Sequence, residues 1–255
     1  MIRIENISKR FKKLCALKDI NALLNEGQVV SLIGPNGSGK TTLIKCILGM
    51  VKADSGHVYV NGTQINGDPS YKRDIGYMPQ IGRYPDNMKV GQLFSMMKNI
   101  RVVPESEHDT DLLVKFNLVS IFDKPMRTLS GGTRQKVSAA LAFYFNPKIL
   151  ILDEPTAGLD PLSSEILKEK ILLEKKKNKL ILITSHILSD LDELTTHVMY
   201  LQEGNMIFLK DITSLKKETE EDKLGKAIAK VMRAGRKEAL WIDEVLAVKE
   251  IEKNF

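Results

Sequence analysis

The chain has 255 residues, 43% of them hydrophobic and 27% charged, and 38 Lys and Arg against 32 Asp and Glu give a net charge of +6. These proportions describe a soluble globular protein with enough core for one large domain or a domain with lobes. They exclude a bilayer-spanning helix, because no apolar run approaches the roughly 20 residues needed to cross.

The start, Met1-Ile2-Arg3-Ile4-Glu5, lacks the basic-then-apolar layout of a secretory signal. Cys15 and Cys46 lie far apart with no metal-ligand spacing, so reduced, packed thiols in a cytosolic chain are expected. The run Lys175-Lys176-Lys177-Asn178-Lys179 falls between a helical pattern and a strand and reads as a solvated loop. With 6% aromatics and none inside that run, no nucleic acid is expected as a partner. Attraction of the basic charge to an anionic membrane surface stays open.

In chain order, Ile2, Ile4 and Ile7 read as a short alternating edge strand. Phe11 follows among Lys9, Arg10, Lys12 and Lys13, either a partly buried anchor or an aromatic platform for a base. The apolar run Val29–Ile33 predicts a strand, and Leu43, Ile44, Ile47 and Leu48 predict a helix. Between them stands Gly34-Pro35-Asn36-Gly37-Ser38-Gly39-Lys40-Thr41-Thr42, which fits the phosphate-loop pattern G-x-x-x-x-G-K-[ST]. The physics suits that placement. The three glycines allow backbone angles that turn successive amides around phosphate oxygens, and the helix start adds its positive dipole end. Lys40 supplies a full charge to the outer phosphates, and the Thr41 hydroxyl is placed to bind Mg²⁺.

Val58–Val60 and Thr63–Ile65 around Asn61-Gly62 predict a hairpin, and Asp74–Met78 a short strand ended by Pro79 and Gln80. From Ile81 to Thr128, Pro85, Pro104 and Pro125 break the chain into short helices, such as Val90–Ile100 and Asp109–Phe116, which predicts a helical lobe inserted into an α/β core. Leu129-Ser130-Gly131-Gly132-Thr133-Arg134-Gln135 opens a helix carried by Val137, Ala140, Leu141 and Tyr144. The buried strand Ile149–Leu152 ends in Asp153 and Glu154. That pair is either a helix cap before Pro155 or a metal ligand beside a base. Leu162, Ile166, Leu167 and Ile171 mark a helix, and Leu180–Thr184 is a second buried strand delivering Ser185 and His186. In an open parallel sheet both strand ends face the ligand edge. His197–Gln202 and Met206–Leu209 form a closing hairpin. Beyond Asp211, Leu224, Ile228, Val231 and Met232 make one amphipathic face and Trp241, Val245 and Val248 another, read as two helices folded on the core rather than lying on a membrane.

Taken in order over residues 1–210, these motifs resemble the ATP-binding-cassette (ABC) ATPases. The resemblance implies a P-loop NTPase fold with a mostly parallel RecA-like core, an N-terminal antiparallel β-subdomain, the inserted lobe at about 81–128 and a C-terminal tail over 211–255. Phe11 matches the residue that stacks on adenine, Gly34–Thr42 the Walker A loop, and Gln80 the Q-loop contact to Mg²⁺ and attacking water. Ser130, Gly131 and Gly132 match the signature that grips the ATP of a partner subunit. Ile149–Glu154 match Walker B, with Asp153 holding Mg²⁺ and Glu154 polarising water. Gly158-Leu159-Asp160 match the D-loop and His186 the switch histidine. The implied cofactors are ATP and Mg²⁺.

The implied assembly is a homodimer around two ATPs, peripheral on the inner face of the cell membrane through permease subunits on separate chains. The single cassette and short tail resemble the exporter branch, and Tyr77–Pro85 resemble the ATPase subunits of nitrous-oxide-reductase maturation systems. A soluble relative such as an iron–sulfur assembly ATPase is the competing expectation, although the residues after Gly132 look unlike that branch. Those residues, Thr133-Arg134-Gln135-Lys136, also depart from the Gln-x-Gln-Arg of many relatives.

Overall fold

Residues 1–65, 67–101, 103–185 and 192–233 are described by a computed structural model. The strands are β1 (Ile2–Phe11), β2 (Leu14–Leu24), β3 (Val29–Ile33), β4 (Ser55–Val60), β5 (Thr63–Gln64), β6 (Ile75–Met78), β7 (Ile149–Asp153), β8 (Leu180–Thr184), β9 (His197–Gln202) and β10 (Asn205–Asp211). The helices are α1 (Lys40–Ile47), α2 (Val90–Arg101), α3 (Asp111–Lys115), α4 (Gly131–Tyr144), α5 (Pro161–Lys176) and α6 (Ile212–Thr219), with short 3-10 turns between several of them.

Two sheets result, one ordered β2-β1-β4-β5 and antiparallel, the other ordered β10-β9-β3-β8-β7-β6. In the second, every neighbouring pair from β9 to β6 is parallel, and only β10 runs antiparallel. The continuous apolar runs of β3, β7 and β8 follow from this, because a parallel strand buries both faces. Alternation divides each run between two layers. Val29, Leu150, Leu152, Ile181 and Ile183 join one core with α4, α5 and the lobe; Val30, Leu32, Ile149, Ile151, Leu180 and Leu182 join another with α1 and the antiparallel sheet. Each such fully buried side chain contributes about 1.5–3 kcal/mol.

Between β6 and α4, the stretch of the expected lobe, the chain forms α2, α3 and short 3-10 turns. Leu224, Ala227 and Ile228 are buried in the first core and Val231 and Met232 pack against it, so this stretch folds back on the body of the protein. The second amphipathic face, Trp241, Val245 and Val248, lies outside the described residues.

Two expectations are corrected. The opening strand is neither short nor an edge: β1 spans ten residues and lies between β2 and β4. Its outer neighbour β2 gave no clean alternation, because the pairing shifts register between Ile4 and Ile7, Ile7 and Lys9, and Lys9 and Arg10. The lysine run is not simply a solvated loop. Lys175 and Lys176 complete α5, while Lys177 and Lys179 both pair with the buried Glu174 carboxylate.

Candidate active site

At the end of β3 the chain turns at Gly34 with φ 151°, then at Gly37 with φ 80° and Gly39 with φ 107°, and α1 begins at Lys40. A Cβ on Gly34 would stand 2.1 Å from the Leu201 carbonyl oxygen, and one on Gly39 2.5 Å from that of Ala16. Glycine is demanded there twice over, by angle and by space. A Cβ on Gly37 would meet nothing within 4 Å, so that stretch faces open room. The Ser38 hydroxyl is buried and has no hydrogen-bond partner among the described residues. The first-turn amides of α1 have no carbonyl four residues back inside the helix. An anionic group with phosphate oxygens fits this set of donors. Lys40 donates to the Gly34 and Pro35 carbonyls at 2.8 and 3.0 Å, so its ammonium lies across the loop. Burial holds its pKa below the ordinary lysine value, against the opposing pull of Glu154 and Asp153, whose charges reach it.

Those carboxylates come from β7. Asp153 is buried and accepts a hydrogen bond from the Thr184 hydroxyl at 2.5 Å. Glu154 leaves the strand with φ 51°, a left-handed turn uncommon for a side-chain-bearing residue. Its amide donates to the Thr184 hydroxyl oxygen at 3.0 Å and the Thr184 carbonyl at 3.1 Å. Gln80 is exposed two residues beyond the end of β6, which pairs in parallel with β7. The segment after it is pinned to α4 by a 2.8 Å hydrogen bond between the Tyr84 and Ser138 hydroxyls. Thus β3, β7 and β6 present Lys40, Asp153 with Glu154, and Gln80 at one carboxyl edge of the sheet. Tyr77, on β6, has its phenol pushed up to about 12 by burial first and by the Asp153 charge second.

Phe11 ends β1 and is 45% exposed, with the Lys9 ammonium 5.3 Å from its ring centre. It pairs with Leu14 at a hairpin tip, and two residues further along β2, Ala16 packs against Gly39. The ring is exposed, on the strand pair whose Ala16 approaches the phosphate loop. Ser130 caps α4 by accepting from the Thr133 amide at 3.2 Å, and its hydroxyl lies 2.9 Å from that of Thr133. A Cβ on Gly131 would meet open space, and one on Gly132 would come 2.8 Å from the Gly158 carbonyl. Lys136 pairs with Asp160 at 2.8 Å, and this bond, with those from Ser163, holds the Asp160 carboxyl well below its usual range. The Ser130 cluster is thus tied to the 158–160 loop. Among the described residues, no hydrogen bond from Ser130, Gly131 or Gly132 reaches residues 34–42. His186 lies outside the described residues.

Residues 17–157, more than half of the chain, match the family described as ABC transporter. The chain belongs to that family. This ABC ATPase is 33% identical over 220 residues to the lantibiotic transport ATP-binding protein SrtF of Streptococcus pyogenes, covering 83% of this chain and 91% of that one. A solved structure of an ATP-binding subunit of an ABC transporter superposes with a TM-score of 0.85 at 25% identity, over 91% of this chain and 99% of that chain. A dimeric structure of the cassette MJ0796 shares the fold at a TM-score of 0.73 and 23% identity, over 83% of this chain and 99% of that one. The protein is accordingly a nucleotide-binding ABC transporter subunit with ATPase activity, and no helix among its described residues is long and apolar enough to cross a membrane.

Sequence reasoning missed one member of this site. Thr184 reads in the chain only as the end of a buried strand, and its hydroxyl joins the Asp153 carboxylate to the Glu154 amide because β7 and β8 pair Asp153 with Thr184.

Proposed function

We propose that the chain hydrolyses Mg²⁺-bound ATP as half of a homodimer and thereby drives export through membrane subunits on separate polypeptides. One observation carries the reading: Lys40, Asp153 and Glu154 gather at one sheet edge, while Ser130, Gly131 and Gly132 form a second donor cluster that, among the described residues, makes no hydrogen bond to residues 34–42. A cluster with a hydroxyl, backbone amides and a 14-residue helix behind it suits phosphate oxygens. Two chains related by a two-fold axis can each offer it to the nucleotide held by the other.

In that assembly Lys40 and the loop amides bind the β- and γ-phosphate oxygens, and Phe11 stacks on adenine. Thr41, Asp153 and Gln80 would hold Mg²⁺, which when bound neutralises developing charge on the phosphate oxygens. Asp153 is suited to this by being buried, oriented by Thr184 and close enough to act on Lys40. Glu154 accepts a proton from the attacking water as the new O–P bond forms. The bond from Pγ to the bridging oxygen breaks, and ADP leaves. His186, following β8, contacts the γ-phosphate and orients Glu154. The unit that does this is residues 1–210, with 211–255 as a tail. Transport is supported by the likeness to a lantibiotic transport subunit, and the export direction by the likeness to a lipopolysaccharide export subunit. The run Tyr77–Pro85 adds a narrower kinship with nitrous-oxide-reductase maturation systems.

The test is Glu154→Gln with Mg²⁺ and ATP. Hydrolysis should fall at least about 100-fold, and a nucleotide-dependent dimer should accumulate on size exclusion. Hydrolysis at the parent rate would remove Glu154 as the base. The same variant, tagged in its native cell and solubilised with ATP, should bring down a polytopic membrane protein in near-equal amount, whose sequence tests the narrower kinship. Recovery with soluble proteins alone would favour an assembly ATPase.

A further inference from the structure

We propose that Thr184 is a positioning residue for ATP hydrolysis, its one hydroxyl setting the two Walker B carboxylates in register with each other. The inference rests on the reading of Asp153 as metal ligand and Glu154 as base, and deepens it. In a regular strand, successive side chains alternate between faces, so adjacent Asp153 and Glu154 would diverge. The charges of both nevertheless reach the Lys40 ammonium. What breaks the alternation is the left-handed turn at Glu154, φ 51°. A residue bearing a side chain holds that conformation only when its surroundings impose it.

Thr184 imposes it from both ends. Its carbonyl and its hydroxyl oxygen both accept from the Glu154 amide, at 3.1 and 3.0 Å. A hydroxyl has one proton, and here that proton is committed to Asp153 Oδ1 at 2.5 Å. Thr184 is 1% exposed and Asp153 5%, so water has little access to replace either bond. The parallel register that places Thr184 opposite Asp153 makes β8 the carrier of this clamp. Because β8 also leads into Ser185 and His186, the clamp joins the strand that delivers the base to the strand that delivers the switch histidine.

The test compares Thr184→Val, close in shape but without the hydroxyl, with Thr184→Ser, which keeps it. Loss of a buried hydrogen bond to a charged group should lower kcat of Thr184→Val by about 10- to 100-fold with KM changed less than about threefold. Thr184→Ser should retain at least about a third of the parent kcat. A fluorescent ATP analogue supplies a readout independent of turnover: its affinity for Thr184→Val should match the parent in EDTA and fall by about 3- to 10-fold in Mg²⁺, as the loosened Asp153 holds metal less well.

Parent-like kcat in Thr184→Val overturns the proposal, and so does an equal loss in Thr184→Ser, which would make packing the cause. If Thr184→Val does not melt cooperatively, Thr184→Ala is read by the same criteria. Glu154→Gln separates the two claims. Inactive Glu154→Gln beside fully active Thr184→Val sinks only the clamp, whereas active Glu154→Gln sinks the base assignment itself.

Discussion

Replacing Lys170 by Met tests how the helical lobe is fastened to the core. Lys170, on α5, is 3% exposed, and its ammonium lies 2.5 Å from Asp109 Oδ2, 3.3 Å from Glu174 Oε1 and 3.6 Å from Asp111 Oδ2. Asp109 and Asp111 belong to the lobe, so this side chain joins two parts of the protein. Removing one member of a buried ion pair leaves a charge without its partner and costs about 3–5 kcal/mol. Glu174 would keep Lys177 and Lys179, and Asp109 is near the rim, so a loss of about 2–4 kcal/mol is expected. At roughly 2–4 °C per kcal/mol for a chain of this size, the melting temperature should fall by about 5–15 °C.

The pH dependence gives the sign. Burial alone would raise the Glu174 carboxyl, but Lys177, Lys179 and Lys170 outweigh it and hold it below its usual range. Its stabilising contribution is therefore present above the unfolded-state value and lost as pH falls through the lower folded value. Lys170 is moved the other way. Burial opposes its charge, yet Asp109 and Glu174 raise its pKa, so its share is lost only as pH rises through that raised value. The deficit of Lys170→Met, measured by urea unfolding without nucleotide, should stay flat between about pH 6 and 9 and shrink below about pH 4. Lys170→Met with Asp109→Asn should recover much of the loss. A single variant within about 1 kcal/mol of the parent, or a deficit unchanged in acid, would refute the reasoning.

Three further outcomes concern the nucleotide. Lys40→Ala should weaken ATP binding by at least about 100-fold in calorimetry, since a full charge on the outer phosphates is lost, and unchanged affinity would remove the phosphate-loop assignment. Gly34→Ala, with its Cβ 2.1 Å from the Leu201 carbonyl, should be far less stable than Gly37→Ala, which meets only the dihedral cost of about 1–2 kcal/mol at φ 80°. Equal melting temperatures for those two would contradict the close approach. Phe11→Ala should lower affinity by about 10-fold while Phe11→Trp preserves it, as stacking requires, and an effect of Phe11→Ala on folding alone would return the ring to an anchoring role.

Those parts of the fold whose cause is local were legible in the chain. The strand at Val29–Ile33, the buried runs ending at Asp153 and Thr184, and the hairpin turning at Glu203-Gly204 each carry their signal in consecutive residues. The short helices between β6 and α4 were legible from the prolines that separate them. β2 was not, because Leu14-Cys15-Ala16-Leu17-Lys18-Asp19 mixes exposed and buried positions without a period, and register shifts in β1 accommodate it. Its consequence, an internal β1, could not be read without it. The lysines after α5 failed for a related reason: a charge run looks solvated until a buried acid is found, and Glu174 is ordinary in sequence and wholly buried in the structure.

The site divides along the same line. The glycines, Lys40 and the Asp153-Glu154 pair are visible because one short segment must satisfy a phosphate or end a strand. The Thr184 clamp is invisible because it joins residues about thirty positions apart through a sheet register that no local pattern encodes. Ser31 against Thr195 at 2.6 Å and Tyr84 against Ser138 at 2.8 Å are contacts of the same kind. Each joins hydroxyl groups from elements that meet only in the folded sheet and its covering helices. Buried hydroxyls usually find partners, and at the carboxyl end of β8 Thr184 finds its own in Asp153. Thr184, at the end of a buried parallel strand, thus meets the carboxylate of the neighbouring strand, a contact legible only once strand order is known.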